Sequence, residues 1–253
     1  MTRGLCVLFG VSAYIVFFAT FLYLIGFVAN LPDLPRTVDR GSASALIPAL
    51  TVNVALIGLF GVQHSVMARQ GFKRAWVRIV PEPIERSTYV LLASAALILL
   101  FAFWRPIPQP VWTVESPFGV FLLWTLFMLG WMTVLVSTFL INHFELFGIA
   151  QVLRHMVGDS AAPPRFRQPL LYKLVRHPLY TGFFIAFWAT PAMTVGHLLL
   201  ALGMSAYMLI AIRYEESDLV ALFGRDYEEY RTKVGMLAPR LRRRTSSSTS
   251  ART

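Results

Sequence analysis

The run FGVFLLWTLFMLGWMTVLVSTFLI, Phe118–Ile141, holds twenty-four residues without one Asp, Glu, Lys, Arg or His. At 1.5 Å per residue, a helix of that length crosses a hydrocarbon core of about 30 Å. Three more apolar runs lie upstream, at about 5–29, 44–68 and 87–104, the second carrying His64. A fifth apolar stretch, 179–213, is interrupted by Pro191 and by Gly196-His197. It reads as a helical hairpin with legs at about 179–194 and 197–213, each near the lower limit for a span, so that a partly re-entrant leg stays open.

Composition agrees with lipid as part of the solvent. Of 253 residues, 56% are hydrophobic and 14% charged, against roughly 25% charged in soluble domains. The apolar run at the N-terminus extends to about Val28, long enough to span and without a clear cleavage site, so it reads as a first span and not a signal peptide. The one cysteine, Cys6, excludes a disulfide framework and a four-cysteine zinc site. The expected fold class is an all-α integral membrane protein of about six transmembrane helices, the last two a hairpin, followed by a cytoplasmic amphipathic helix. Residues 1–240 are expected to form a single domain, and 241–253, rich in Arg, Ser and Thr, a disordered basic tail.

The net charge is +10. Loop charge explains it better than a nucleic-acid partner does, because Lys and Arg collect in cytoplasmic loops of membrane proteins. With six crossings, 20 of the 23 basic residues fall on one side, and only Arg36, Arg40 and Arg105 on the other. Both termini are therefore expected in the cytoplasm, and no nucleic acid is expected as partner. Nothing in the sequence indicates an oligomeric state.

Four polar segments converge on the cytoplasmic face of that topology: Gln63-His64, Asn142-His143-Phe144-Glu145, Tyr172 through Gly182, and Arg213 through Asp218. Ionisable residues near span ends usually face the bundle interior or a wet cavity. Each has a plainer reading. Lone histidines such as His64 and His155 are as often hydrogen-bonded caps. Arg176-His177-Pro178 suits a span start, since proline fits the first helical turn. Glu215 and Glu216 stand just past the apolar run, where pairing with Arg176 or Arg213 is an economical account. The five histidines, at 64, 143, 155, 177 and 197, show no HxxxH, HxxH or HExxH spacing, so no metal is expected. The common nucleotide-binding glycine motifs are absent. After the hairpin, Leu219, Leu222 and Phe223, then Gly224, Tyr227 and Tyr230, read as an amphipathic cytoplasmic helix.

The ordered series Arg176-His177-Pro178-Leu179-Tyr180-Thr181-Gly182, an apolar hairpin, Glu215-Glu216 with Leu219, Phe223-Gly224, Tyr227, Tyr230 and Pro239-Arg240 resembles the isoprenylcysteine carboxyl methyltransferase and phospholipid methyltransferase superfamily. The match covers about 172–240, and Leu237-Ala238-Pro239-Arg240 departs mildly from the family's Val-Pro-Arg ending. The resemblance implies an S-adenosylmethionine site in this block. Arg176, His177, Pro178, Tyr180 and Gly182 would line it from one side and Glu215 and Glu216 from the other, with Tyr230 and Arg231 closing it. The chemistry is consistent, because the cofactor's carboxylate wants Arg or His and its ammonium and hydroxyls want carboxylate.

Upstream, Asn142-His143-Phe144-Glu145-Leu146-Phe147-Gly148 with Gln151-Val152, and Gly61-Val62-Gln63-His64-Ser65-Val66-Met67-Ala68-Arg69, look like the methanethiol S-methyltransferase branch, which is bacterial and membrane-bound. That likeness implies methylation of methanethiol to dimethyl sulfide in the bacterial inner membrane, with hydrogen sulfide as a further acceptor to test. The nucleophile would be a thiolate. His64, His143 and Glu145 are the expected proton acceptors, with His64 or His143 favoured and a nearby arginine stabilising charge. A methyltransferase acting on a lipid amine or carboxylate, and a non-enzymatic transporter or accessory factor, are the alternatives.

Overall fold

The computed structural model describes residues 2–160 and 165–240. The expectation of a disordered tail at 241–253 lies outside the described residues. In chain order the helices begin with α1 (Arg3–Val28), α2 (Leu46–Met67), α3 (Gln70–Trp76) and α4 (Glu82–Phe103). A short strand β1 (Pro110–Thr113) precedes α5 (Pro117–Ile141), α6 (His143–Leu146) and α7 (Ile149–Val157). A 3-10 turn at Leu170–Lys173 leads to α8 (Pro178–Trp188), β2 (Ala192–Thr194), α9 (Val195–Phe223) and α10 (Arg225–Lys233). Helices α1, α2, α4, α5 and α9 are each long and apolar enough to cross a membrane. The protein is a mostly helical integral membrane protein.

Local chemistry sets the helix ends. The Thr2 hydroxyl accepts the Leu5 N–H at the start of α1, and the Ser116 hydroxyl accepts the Gly119 N–H at the start of α5, where Pro117 occupies the first helical position. Helix α4 begins five residues before the expected 87, because Glu82, Glu85 and Arg86 end an apolar count without ending a helix.

The hairpin departs from its expected bounds. Its first leg is helical for only 11 residues, about 16 Å, and continues without helical structure from Ala189 toward Pro191. The second leg is one continuous helix of 29 residues that does not stop near 213. Leu219, Leu222 and Phe223 ride on its end, and the chain breaks only at Gly224, whose φ of 54° suits a residue without a Cβ. Only the short α10 follows, so the amphipathic stripe is split between two helices.

The expected all-α fold also gains a two-stranded antiparallel ribbon. Pro110, Trp112 and Thr113 of β1 pair with Thr194, Met193 and Ala192 of β2. Around it, the Trp104 indole N–H donates to the Val38 carbonyl at 2.9 Å. Asn53 brackets the Arg105 backbone, donating to its carbonyl at 2.8 Å and accepting its N–H at 2.9 Å. The Thr194 hydroxyl donates to Asp39 at 2.5 Å. These contacts tie the 30–45 and 104–116 connections and the hairpin turn to one another on the face opposite α3, α6 and α10.

Helices pack in the order α5, α8, α9, α2, α4, α1 around a central space. Between α1 and α5 the backbones stay apart, and aromatic side chains bridge them: Phe21 stands edge-on to Trp131, with ring centroids 5.5 Å apart. The closest approach in the ring is α5 on α8. A Cβ on Gly182 would meet the Gly130 carbonyl at 2.6 Å, and one on Gly130 would meet the Ala186 nitrogen at 2.7 Å. Gly182, expected to line a cofactor pocket, is instead a packing glycine, since two backbones in contact leave no room for a side chain. A Gly182→Val substitution is expected to lower stability by at least about 1–3 kcal/mol through overpacking, read as a fall in the unfolding temperature of the detergent-solubilised protein.

Candidate active site

Residues 175–177 run extended beside 235–237. Val175 bridges Gly235 in parallel, the Arg176 N–H donates to the Gly235 carbonyl at 2.8 Å, and the His177 N–H donates to the Met236 carbonyl at 3.1 Å. The Thr181 hydroxyl donates to the Leu237 carbonyl at 3.0 Å, and the Tyr230 hydroxyl to the Tyr172 carbonyl at 2.5 Å. Burial pushes the Tyr230 phenol up to about 12, so it remains a donor at any ordinary pH. The segment after α10 is thereby laced to the entry of α8.

Glu216, on α9, closes this assembly. Its Oε1 accepts Arg176 Nε at 2.7 Å and meets His177 Nε2 at 3.0 Å, while Oε2 stands 3.8 Å from Arg231 Nε. The Arg176 and Glu216 side chains are only 12% and 13% exposed. A buried charge is tolerable only when paired and hydrogen-bonded, and Arg176 also donates to the Val234 carbonyl at 2.6 Å. Glu215, the next residue, turns the other way. Its carboxylate faces a cavity of about 890 Å³ within the helical ring, with His177 Nδ1 at 4.0 Å.

That cavity is polar at one end. Arg176, His177, Tyr180 and Glu215 line it there, joined by His64 from α2. Of the expected cofactor residues, Glu216, Pro178, Tyr230 and Arg231 lie outside the wall and hold it from behind. Several members carried no site role in the sequence: Arg69, at the end of the Gly61–Arg69 motif, Arg86, counted only as loop charge, and Tyr89, Tyr207 and Asp218. Arg86 lies over the Tyr89 ring at 4.8 Å and donates to the Leu146 carbonyl at 2.7 Å. Tyrosines within apolar spans were the available signal, because a buried phenol needs a polar partner or a wet cavity.

The three expected proton acceptors separate. Glu145 does not line the cavity. Arg154 grips both its carboxylate oxygens at 2.7 Å, and Gln151 donates to it at 3.0 Å. It fastens α6 to α7 instead, where Gly148, at φ 90°, passes so close to Ser87 that a Cβ would sit 2.5 Å from its Oγ. His143 lines the cavity but has both ring nitrogens engaged, Nδ1 with Thr138 Oγ1 at 2.8 Å and Nε2 with Tyr14 OH at 2.7 Å. The Thr138 hydroxyl donates its proton to the Leu135 carbonyl at 2.7 Å. Nδ1 is therefore the donor to Thr138, and Nε2 accepts from Tyr14. His64 differs, because its buried Nδ1 has no hydrogen-bond partner and its ring lies between Phe60, Tyr89 and Tyr207.

The fold and this pocket define a class, a polytopic helical membrane protein with one deep cavity whose charged end lies under the last helical hairpin. Methanethiol S-methyltransferase 1 of Bradyrhizobium diazoefficiens is 54% identical over 232 residues, 92% of this chain and 81% of that one. The methanethiol S-methyltransferase of Mycobacterium tuberculosis is 54% identical over 239 residues, 94% of this chain and 98% of its own. A more distant relative, nurim of Bos taurus, is 28% identical over 82% of this chain and 87% of its own. The chain belongs to the methanethiol S-methyltransferase family and is a methyltransferase. No family model and no solved structure matches it.

Two outcomes are expected from this geometry. Glu216→Ala strands Arg176 without its counter-charge and His177 Nε2 without its partner, and stability is expected to fall by about 3–5 kcal/mol, measured by thermal unfolding in detergent. Burial holds His143 below its ordinary value of 6.5. The unfolded chain therefore binds the proton more readily, and stability present above pH 6.5 is lost as pH falls through that value. Unfolding temperature is expected to drop on acidification, with a shallower slope in His143→Asn.

Proposed function

We propose that the protein transfers a methyl group from S-adenosylmethionine to methanethiol, releasing dimethyl sulfide. The observation that carries this reading is a cavity charged and phenolic at one end and apolar beyond, with Glu215 and the neighbouring Arg176 and His177 facing its polar end. The donor set suits the proposed methyl donor. The Arg176 Nη2 is left over from the Glu216 and Val234 contacts for a carboxylate, and the Glu215 carboxylate facing the cavity suits an ammonium or ribose hydroxyls. When bound there, the donor supplies an already activated sulfonium methyl.

The chain's own task is then to align a thiolate and take its proton. His64 is the proton acceptor in this reading, because its ring lines the cavity and its buried Nδ1 makes no hydrogen bond, whereas His143 is held at both nitrogens. His143, with Thr138 and Tyr14, positions the thiol end of the pocket. Arg69 and Arg86 lend positive field to the developing thiolate.

The same reading sets six crossings, with α8 and the extended 189–194 as the fifth. Support comes from the ribbon, which pairs the hairpin turn with the connection that follows Arg105, on the side of Arg36 and Arg40, while the other basic residues among the described ones lie at the cavity's charged end or beyond it. That end is cytoplasmic, both termini with it, and the bilayer is the bacterial inner membrane.

Purified protein in detergent, given S-adenosylmethionine and methanethiol, is expected to form dimethyl sulfide, detected by gas chromatography. His64→Ala is expected to lower kcat by about 100-fold or more with binding of S-adenosylmethionine retained, and Glu215→Ala to lose that binding. Failure of the wild type to bind the methyl donor overturns the proposal.

A further inference from the structure

The cavity is longer than a one-carbon thiol needs. At about 890 Å³ it stands near the upper end of sites that enclose drug-sized ligands. Its charged and phenolic side chains all lie toward one membrane face. Past Tyr89 and Tyr207 the wall is formed by Phe21, Leu24, Leu97, Phe183, Phe187 and Met204. The one hydroxyl on α4 in that region, Ser94, already donates to the Val90 carbonyl at 2.9 Å.

Two physical limits decide what this apolar arm can hold. A nucleoside-bearing methyl donor carries polar atoms along its whole length, and these would lose their hydrogen bonds in the arm. It therefore belongs at the charged end. Methanethiol, with a single carbon, leaves most of the arm's apolar wall without contact, and an apolar void of this kind stays dry and takes apolar guests. The arm also runs on toward the opening between α1 and α5. There Phe18 and Leu135 line the cavity and are at the same time exposed on the outer surface, where lipid lies.

We infer that the arm binds the alkyl chain of linear thiols longer than methanethiol and that the protein S-methylates these as well. The inference rests on the methyl transfer proposed above at the charged end. The thiol sulfur loses its proton to His64 and forms a bond to the donor's methyl carbon. The sulfonium–methyl bond breaks with its electron pair returning to the donor sulfur, so the products are an alkyl methyl thioether and S-adenosylhomocysteine.

The test compares methanethiol, 1-butanethiol and 1-hexanethiol with the intact protein at one fixed detergent concentration, following thioether formation. KM is expected to fall roughly fourfold per added methylene until the arm is filled. Leu97→Trp and, separately, Met204→Phe narrow the arm, and each is expected to lower kcat/KM for 1-hexanethiol at least tenfold more than for methanethiol. Either variant suffices if the other does not fold. Turnover of methanethiol without turnover of the longer thiols overturns this inference and leaves the proposed function standing. An equal chain-length trend in wild type and narrowed variants assigns the trend to partition into detergent, and also overturns it. No turnover of any thiol removes both.

Discussion

A carboxylate that cannot be left alone organises the functional end of this protein. Glu216 stands on a helix long and apolar enough to span, in surroundings where water reaches little of its side chain, and it is tolerable there only because Arg176, His177 and Arg231 surround it. Those partners come from two places in the chain, the adjacent Arg176 and His177 and the distant Arg231. Satisfying one charge therefore fixes the end of α9 against the entry of α8 and against α10. The backbone pairing of 175–177 with 235–237 follows from that placement and supplies the hydrogen bonds that an irregular segment beside lipid would otherwise lack.

Glu215 gains its role from the same arrangement. Adjacent residues on a helix do not share a face, so burying Glu216 in its ion-pair cluster turns Glu215 toward the central cavity. The cavity itself exists because the helical ring is not closed by direct backbone packing. Helices α5 and α8 touch backbone to backbone at Gly130 and Gly182, whereas α1 and α5 are held apart by aromatic rings and by the hydrogen bond from Tyr14 to His143. Tight packing on one side of the ring and aromatic spacers on the other leave a space with one polar and one apolar end.

Much of this was legible in the chain. The four upstream spans lie where hydropathy put them, within a few residues except at the charged start of α4. The convergence of Gln63-His64, His143, Arg176-His177 and Glu215 on one face followed from span positions and loop charge. The sequence was less informative where a residue's type admits several partners. Glu145 and His143 sit two apart in one motif, yet one is locked by Arg154 and the other lines the cavity. Gly182 lies in the middle of the cofactor motif and serves helix packing. Arg86 reads as one more positive-inside charge until α4 is seen to begin at Glu82 and to carry it over Tyr89.

By itself the sequence determined that the chain lives in a bilayer, roughly where it crosses, and which polar residues gather at one side. Those facts depend on summed hydropathy and loop charge, which are local quantities. Only the tertiary structure decided that α9 runs unbroken past its apolar segment, that Glu216 supports while Glu215 faces the cavity, and that His64 alone of the expected acceptors has a ring nitrogen to spare. These depend on which partner each polar atom finds across the ring of helices: a pairing of Arg176 with Glu215 or Glu216 is expected from their charges, but which carboxylate it takes, and the hydrogen bond between residues 14 and 143, have no trace in the spacing.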